Sequence, residues 1–126
     1  MRRSCLMGKA QRDKGKRGER EAVKEAISHW GANPDECRRT SQVDGGLKAD
    51  IINALPGFHV EVKRRKKIGA LRFMDQAWED SEGECEIPLV LMREDGSQHW
   101  YVVFPMTYSM EFANAMWNQF MPGGGE

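Results

Sequence analysis

Ala49-Asp50-Ile51-Ile52-Asn53-Ala54, Leu55-Pro56-Gly57 and Phe58-His59-Val60-Glu61-Val62-Lys63 follow one another in the stretch that decides the fold. Two short apolar runs about a Pro-Gly pair read as a β-hairpin, with strands over 48–54 and 58–63. In the second run Phe58, Val60 and Val62 alternate with His59, Glu61 and Lys63. A period of two therefore sends an apolar row to one face and ionisable groups to the other. Glu61 and Lys63 point the same way, and Asp50 stands on the adjacent strand. Mg²⁺ takes oxygen ligands, commonly one or two carboxylates plus a substrate phosphate, and Asp50 with Glu61 supplies that set. Mn²⁺ accepts the same donors. The competing reading is a half-exposed hairpin whose outer face happens to be charged.

Outward from the hairpin, apolar Val23, Ala26, Ile27 and Trp30 recur at helical spacing and predict a helix over 15–30. At 100° per residue Glu19 falls on that stripe and Glu21 lies nearly opposite it. A carboxylate pointing inward needs a partner or a metal. Further elements are a strand over 36–40, a helix over 70–82 with Leu71, Met74 and Trp78 inward, strands over 88–93 and 99–104 about an Asp95-Gly96 turn, and a helix over 107–120. The fold class is α/β, a central mixed five-stranded sheet flanked by helices. On the last helix Met110, Ala113, Met116, Trp117 and Phe120 form an apolar stripe that fits either the sheet or a subunit interface.

Asp50 followed by Glu61-Val62-Lys63 resembles the PD-(D/E)XK nuclease superfamily, with Ala49 where that pattern has proline. The segment Gly15-Lys16-Arg17-Gly18-Glu19-Arg20-Glu21 is similar to the Gly-x-x-x-Glu-Arg-Glu opening of the archaeal-type Holliday junction resolvases and their phage relatives. The likeness covers roughly residues 14 to 105, by order of elements as much as by identity. It implies a restriction-endonuclease-like fold and catalytic residues Glu19, Asp50, Glu61 and Lys63. It further implies Mg²⁺, or Mn²⁺ in its place, on Glu19, Asp50, Glu61 and the Val62 carbonyl. Arg20 and Arg39 become DNA-binding or site-ordering residues. The expected activity is structure-selective cleavage of branched double-stranded DNA, a four-way junction above all, by a homodimer making paired nicks. Cleavage at ends, flaps or nicks, or DNA binding without catalysis, are the alternatives.

The net charge of zero conceals an asymmetry. Residues 1–72 carry 18 Lys and Arg against 9 Asp and Glu, whereas residues 73–126 carry 1 against 10. The basic part holds the candidate site, and phosphate neutralisation by such cations supplies most sequence-independent DNA affinity. Lys16, Arg17, Arg64, Arg65, Lys66 and Lys67 join Arg20 and Arg39 as candidate DNA contacts, and the acidic remainder is expected to face away from DNA.

A chain of 126 residues suits one domain. We read 1–13 as a basic flexible arm, 14–121 as a single domain and 122–126 as a flexible tail. No apolar run approaches the roughly 20 residues of a membrane span, and no signal peptide opens the chain, so a cytoplasmic protein without a membrane partner is expected. Cys5, Cys37 and Cys85 lack the spacing of a disulfide framework or zinc site. His59, Gln76 and Ser41 are further site candidates: His59 shares the Glu61 face, though a lone strand histidine is more often a polar edge residue, and Gln76 falls on the polar side of its helix. Ser41 opens the polar loop Ser41–Leu47, whose glycines let backbone amides approach a phosphate.

Overall fold

In the computed structural model, which describes residues 2–41 and 48–121, five strands form one sheet in the order β1-β2-β3-β4-β5. The strands are β1 (Arg38–Arg39), β2 (Ile51–Ile52), β3 (Phe58–Arg65), β4 (Ile87–Glu94) and β5 (Tyr101–Val103). The helices are α1 (Arg2–Trp30), α2 (Ala70–Ser81) and α3 (Ser109–Phe120). β3 and β4 are parallel, and the other pairings are antiparallel. A parallel pair needs a crossover, which α2 provides. The class is thus α/β with a mixed sheet between helices.

The hairpin forms where the sequence places it. The Phe58 amide donates to the Leu55 carbonyl, with Pro56 and Gly57 between them and Gly57 at φ 83, as a type II turn demands. Ile51 pairs with Val60. Beyond that pair the Val62 amide donates to Asp50 Oδ2 at 2.8 Å, so a side chain takes the place of a ladder bond and β2 stays short. β1 and β2 are each two residues long, shorter than the strands expected over 36–40 and 48–54.

Both faces of β3 are covered, which removes the half-exposed hairpin. Val60 and Val62 pack with Leu89 and Leu91 of β4, Ala22, Ala26 and Trp30 of α1, and Ala115 of α3. Phe112 joins this cluster edge-on to Trp30 and Phe58 and stacked on Phe104 at 4.5 Å. On the other face α2 lays Phe73, Met74 and Ala77 against Val90 and Met92. Phe73, Met74, Ala77 and Ser81 are the buried stripe of α2. The expected inward face was wrong by part of a turn: Leu71 is 84% exposed and Trp78 is 41% exposed.

Two helix ends show how the elements are joined. The Ala32 amide reaches back to the Ala26 carbonyl around Gly31 at φ 69, the glycine-terminated end of an α-helix. Gln119 Nε2 then donates to the carbonyls of Trp30 and Ala54, fastening α3 to α1 and to the hairpin. α3 turns Phe112, Ala115 and Met116 inward and leaves Met110, Trp117 and Phe120 largely exposed, so most of the apolar stripe expected on it does not meet the sheet. At the opposite end α1 begins at Arg2, so the backbone of 2–13, read as an arm, is helical and continuous with the rest of α1. The tail 122–126 lies outside the described residues, as do 42–47 of the Ser41–Leu47 loop. Among the described residues no helix is long and apolar enough to cross a membrane.

Candidate metal centre

Antiparallel pairing of β2 with β3 sets Asp50 beside Glu61, and the two carboxyl groups share a hydrogen bond. Burial, then the Glu61 charge, raises the Asp50 pKa to about 8, against the opposing pull of the Val62 amide. Glu61 moves the other way. Burial opposes its charge, but hydrogen bonds from His59 and Asp50 and the charges of His59 and Lys63 outweigh it and hold the carboxyl below its usual range. Two adjoining carboxyl groups pushed apart in acidity form one proton-sharing pair. The pair is an oxygen donor set that fits a hard divalent cation, since the ion would replace the shared proton.

The other residues expected at the site are placed unevenly. Lys63 is buried beside the pair, its Nζ 3.1 Å from Gln76 Oε1 and 5.5 Å from the centre of the Phe73 ring. Gln76 lies on the exposed side of α2, as its helical phase predicts, and still reaches Lys63 as a direct partner. Glu19 accepts the Arg39 Nε–H at 2.9 Å, and its charge still raises the Asp50 pKa. Arg39 orders Glu19. Glu19, Asp50, Val62 and Lys63 line one cleft of about 450 Å³, whose rim is Lys14, Arg64, Arg65 and Lys66. Ser41 is exposed at the edge of the described residues.

Arg64 leaves the strand toward α1. Gly18 makes room for it, because a Cβ there would lie 3.1 Å from Arg64 Cβ. Its guanidinium meets Glu21 at 2.7 Å and Asp95 at 3.4 Å, Arg93 also reaches Glu21, and Lys14 pairs with Asp95. Lys16, Arg17, Arg20, Arg65, Lys66 and Lys67 are exposed.

His59 is not an edge residue. It has no exposure, with Nε2 at 2.8 Å from Glu61 Oε1 and Nδ1 at 2.8 Å from Glu84 Oε2. Burial opposes a charge on the ring, yet the hydrogen bonds to Glu61 and Glu84 and their charges raise its pKa to about 9. Glu84 is held below its usual range against burial, first by the His59 bond and then by the Lys48 amide. Glu86, half-buried next to Glu84, is raised by burial and by that neighbour. Ligand atoms of His59, Glu61 and Asp80, and of His59, Glu84 and Glu86, lie within 4.8 Å of one another, two further groupings with the donors for a metal ion.

Asp80, Glu84 and Glu86 escaped the sequence reading because they belong to the acidic part that was expected to face away. The signal was topological. A helix between two strands implies a parallel crossover, and the register Phe58↔Ile87, His59↔Pro88 brings the residues before β4 to the start of β3. Asp95 is likewise drawn among the cations. No family model, no curated protein and no solved structure matches the chain.

Proposed function

We propose that the chain is a metal-dependent endonuclease of restriction-endonuclease-like fold that cuts branched DNA, four-way junctions in particular, as a homodimer. The observation that supports this most is the half-buried Asp50 paired with buried Glu61 and with Lys63 alongside, Asp50 and Lys63 lining a cleft together with Lys14, Arg64, Arg65 and Lys66. In such a site Asp50 and Glu61 would hold Mg²⁺ or Mn²⁺, with Glu19, which lines the cleft, and the Val62 carbonyl as further oxygen donors. The ion, when bound, supplies polarisation of a phosphate oxygen and a water of lowered pKa.

The chain's own groups do the rest. Lys63, oriented by Gln76 and the Phe73 ring, places a fixed positive charge where a phosphate gains negative charge. Arg39 keeps Glu19 at the cleft. Exposed Lys16, Arg17, Arg65, Lys66 and Lys67 neutralise DNA phosphates on either side. The exposed apolar residues Met110 and Trp117 on the outer face of α3 offer surface for a second copy.

The test is cleavage of a synthetic four-way junction and of linear duplex, with and without Mg²⁺, together with sedimentation mass. Mg²⁺-dependent paired nicks on the junction by a dimer are expected. Equal cutting of linear ends by a monomer moves the assignment to end or nick processing, and binding without cutting removes the catalytic reading.

A further inference from the structure

Glu84 sits in the short 3₁₀ turn Glu82–Glu84 after α2, outside every motif of the sequence, yet it is linked to both halves of the candidate centre, through His59 and through the Lys48 amide. Its Oε2 meets His59 Nδ1 at 2.8 Å, and the other ring nitrogen meets Glu61 Oε1 at 2.8 Å. Its Oε1 accepts the Lys48 amide at 3.2 Å, two residues before Asp50. One carboxylate is therefore tied through a ring to Glu61 and through backbone to the segment that delivers Asp50.

We propose that His59 and Glu84 are positioning residues that fix the Asp50 and Glu61 carboxylates in the arrangement that accepts a divalent cation. The proposal rests on the reading of Asp50 and Glu61 as metal ligands. An imidazole held at both nitrogens has one orientation, and His59 has no solvent to supply a substitute partner. Without Glu84 the Nδ1–H is buried and unmatched, the ring is free to turn, and Glu61 loses its fixed donor. Partners of this kind, one bond removed from a ligand, change metal affinity by roughly 10- to 100-fold.

Packing alone does not require this arrangement. The sheet face under α2 is already filled by Phe73, Met74, Ala77, Val90 and Met92, and an apolar residue at position 59 would extend that cluster without needing a carboxylate. Burying a histidine between two carboxylates is costly in desolvation unless each partner is kept. Asp50 is fixed from the other side, its amide on the Val60 carbonyl and its Oδ2 on the Val62 amide. Among the described residues the partners of Glu61 are side chains, so its aim depends on His59, Asp50 and Lys63.

The experiment is titration calorimetry of Mn²⁺ into the whole protein at one fixed pH, for wild type, Glu84→Ala and Glu84→Gln. Melting temperatures and the kcat and KM for junction cleavage are read on the same samples. Glu84→Ala should weaken Mn²⁺ by roughly 10- to 100-fold and lower kcat at limiting Mn²⁺, with KM for DNA unchanged. Glu84→Gln keeps one acceptor oxygen, enough for the His59 Nδ1–H but not for the Lys48 amide as well, and should recover part of the affinity. Should Glu84→Ala not fold, Glu84→Asp takes its place, since its shorter side chain withdraws the acceptor while keeping the charge. Unchanged Mn²⁺ affinity in Glu84→Ala, or equal losses in Ala and Gln variants, would overturn the positioning role even if wild type cleaves. Glu84-dependent Mn²⁺ binding that is lost in Asp50→Asn and kept in Glu86→Gln would uphold it even without any DNA cleavage, and that lack of cleavage would overturn the nuclease reading; binding lost in Glu86→Gln and kept in Asp50→Asn would make Glu84 a ligand and overturn the positioning role. Absence of Mn²⁺ binding by wild type would overturn both.

Discussion

The two faces of β3 are equally buried and differently built. Phe58, Val60 and Val62 meet α1 and α3 through contacts with no preferred direction, whereas His59, Glu61 and Lys63 each depend on a named partner: Glu84, Asp50 and Gln76 among them. Burial of the first row stabilises the fold in proportion to apolar area, at about 25 cal/mol per Å². Burial of the second costs desolvation that only its hydrogen bonds offset. One strand thus carries a face that explains why the chain folds and a face that folding alone does not explain. Local departures of that kind concentrate at functional sites.

Substitutions that separate the faces should give the largest effects. Asp50→Asn or Glu61→Gln should lower junction cleavage by on the order of a hundred- to ten-thousandfold, equivalent to the several kcal/mol that a bound ion supplies, while DNA affinity stays within a few-fold. Leu89→Ala, under the apolar row, should do the reverse: about 2–5 kcal/mol of stability lost in urea, with cleavage per folded molecule unchanged. Near wild-type cleavage in both carboxylate variants would remove the metal centre. Loss of cleavage in Leu89→Ala at temperatures where it is folded would mean that the two faces are not separable.

The rows themselves were legible in the sequence, because alternation along Phe58–Lys63 is a local property. Their surroundings were not. Period-two patterning cannot say whether the ionisable row meets water or α2, and here Phe73 and Gln76 close over it. The wheel of α2 turned Leu71 and Trp78 inward, both of which are exposed, and gave no sign that Gln76 on the polar side reaches Lys63. Asp50, Glu61 and Lys63 were found by spacing, and the structure brings them together. Glu19 was found by helical phase, and it lines the same cleft while bonded to Arg39. Glu84 was out of reach of any local pattern, since only the parallel register of β3 with β4 carries it to His59.

A smaller effect follows from the acidity of the ionisable row. Asp50 holds its proton up to about 8 in the fold and to 3.8 as an ordinary carboxyl, so between those values the folded state binds a proton that the unfolded chain has released. The Asp50 contribution to stability then falls as pH rises from about 4 to about 8 and levels off beyond. His59 acts in the same direction: its contribution is complete below 6.5 and is lost as pH rises through about 9. In metal-free buffer the melting temperature should therefore fall between pH 5 and pH 8. Asp50→Asn, neutral throughout, should flatten that fall, and added Mg²⁺ at pH 8 should raise the melting temperature of wild type more than that of the variant. A wild-type melting temperature that climbs over this range would contradict the buried pair.

The smallest effect tests how far the two rows extend. By parity Arg64 continues the apolar row and Arg65 the ionisable one, and their partners obey it: Arg64 turns to Glu21 of α1, while Arg65 lies 5.9 Å over the Phe73 ring of α2. Past them Lys66 and Lys67 are exposed. A cation already engaged by two carboxylates releases few counterions when DNA binds, whereas an exposed one releases about one. Neutralising Lys66 or Lys67 should thus lower the slope of log affinity against log salt by about one unit each. Arg64→Gln should leave the slope unaltered and instead lower the melting temperature slightly, since the partly exposed Glu21 and Asp95 lose a charged partner. Slopes measured by fluorescence anisotropy between low and moderate salt decide it. If Arg64→Gln lowers the slope as much as the lysine substitutions do, the Glu21 and Asp95 pairings open on DNA and Arg64 belongs with the phosphate contacts.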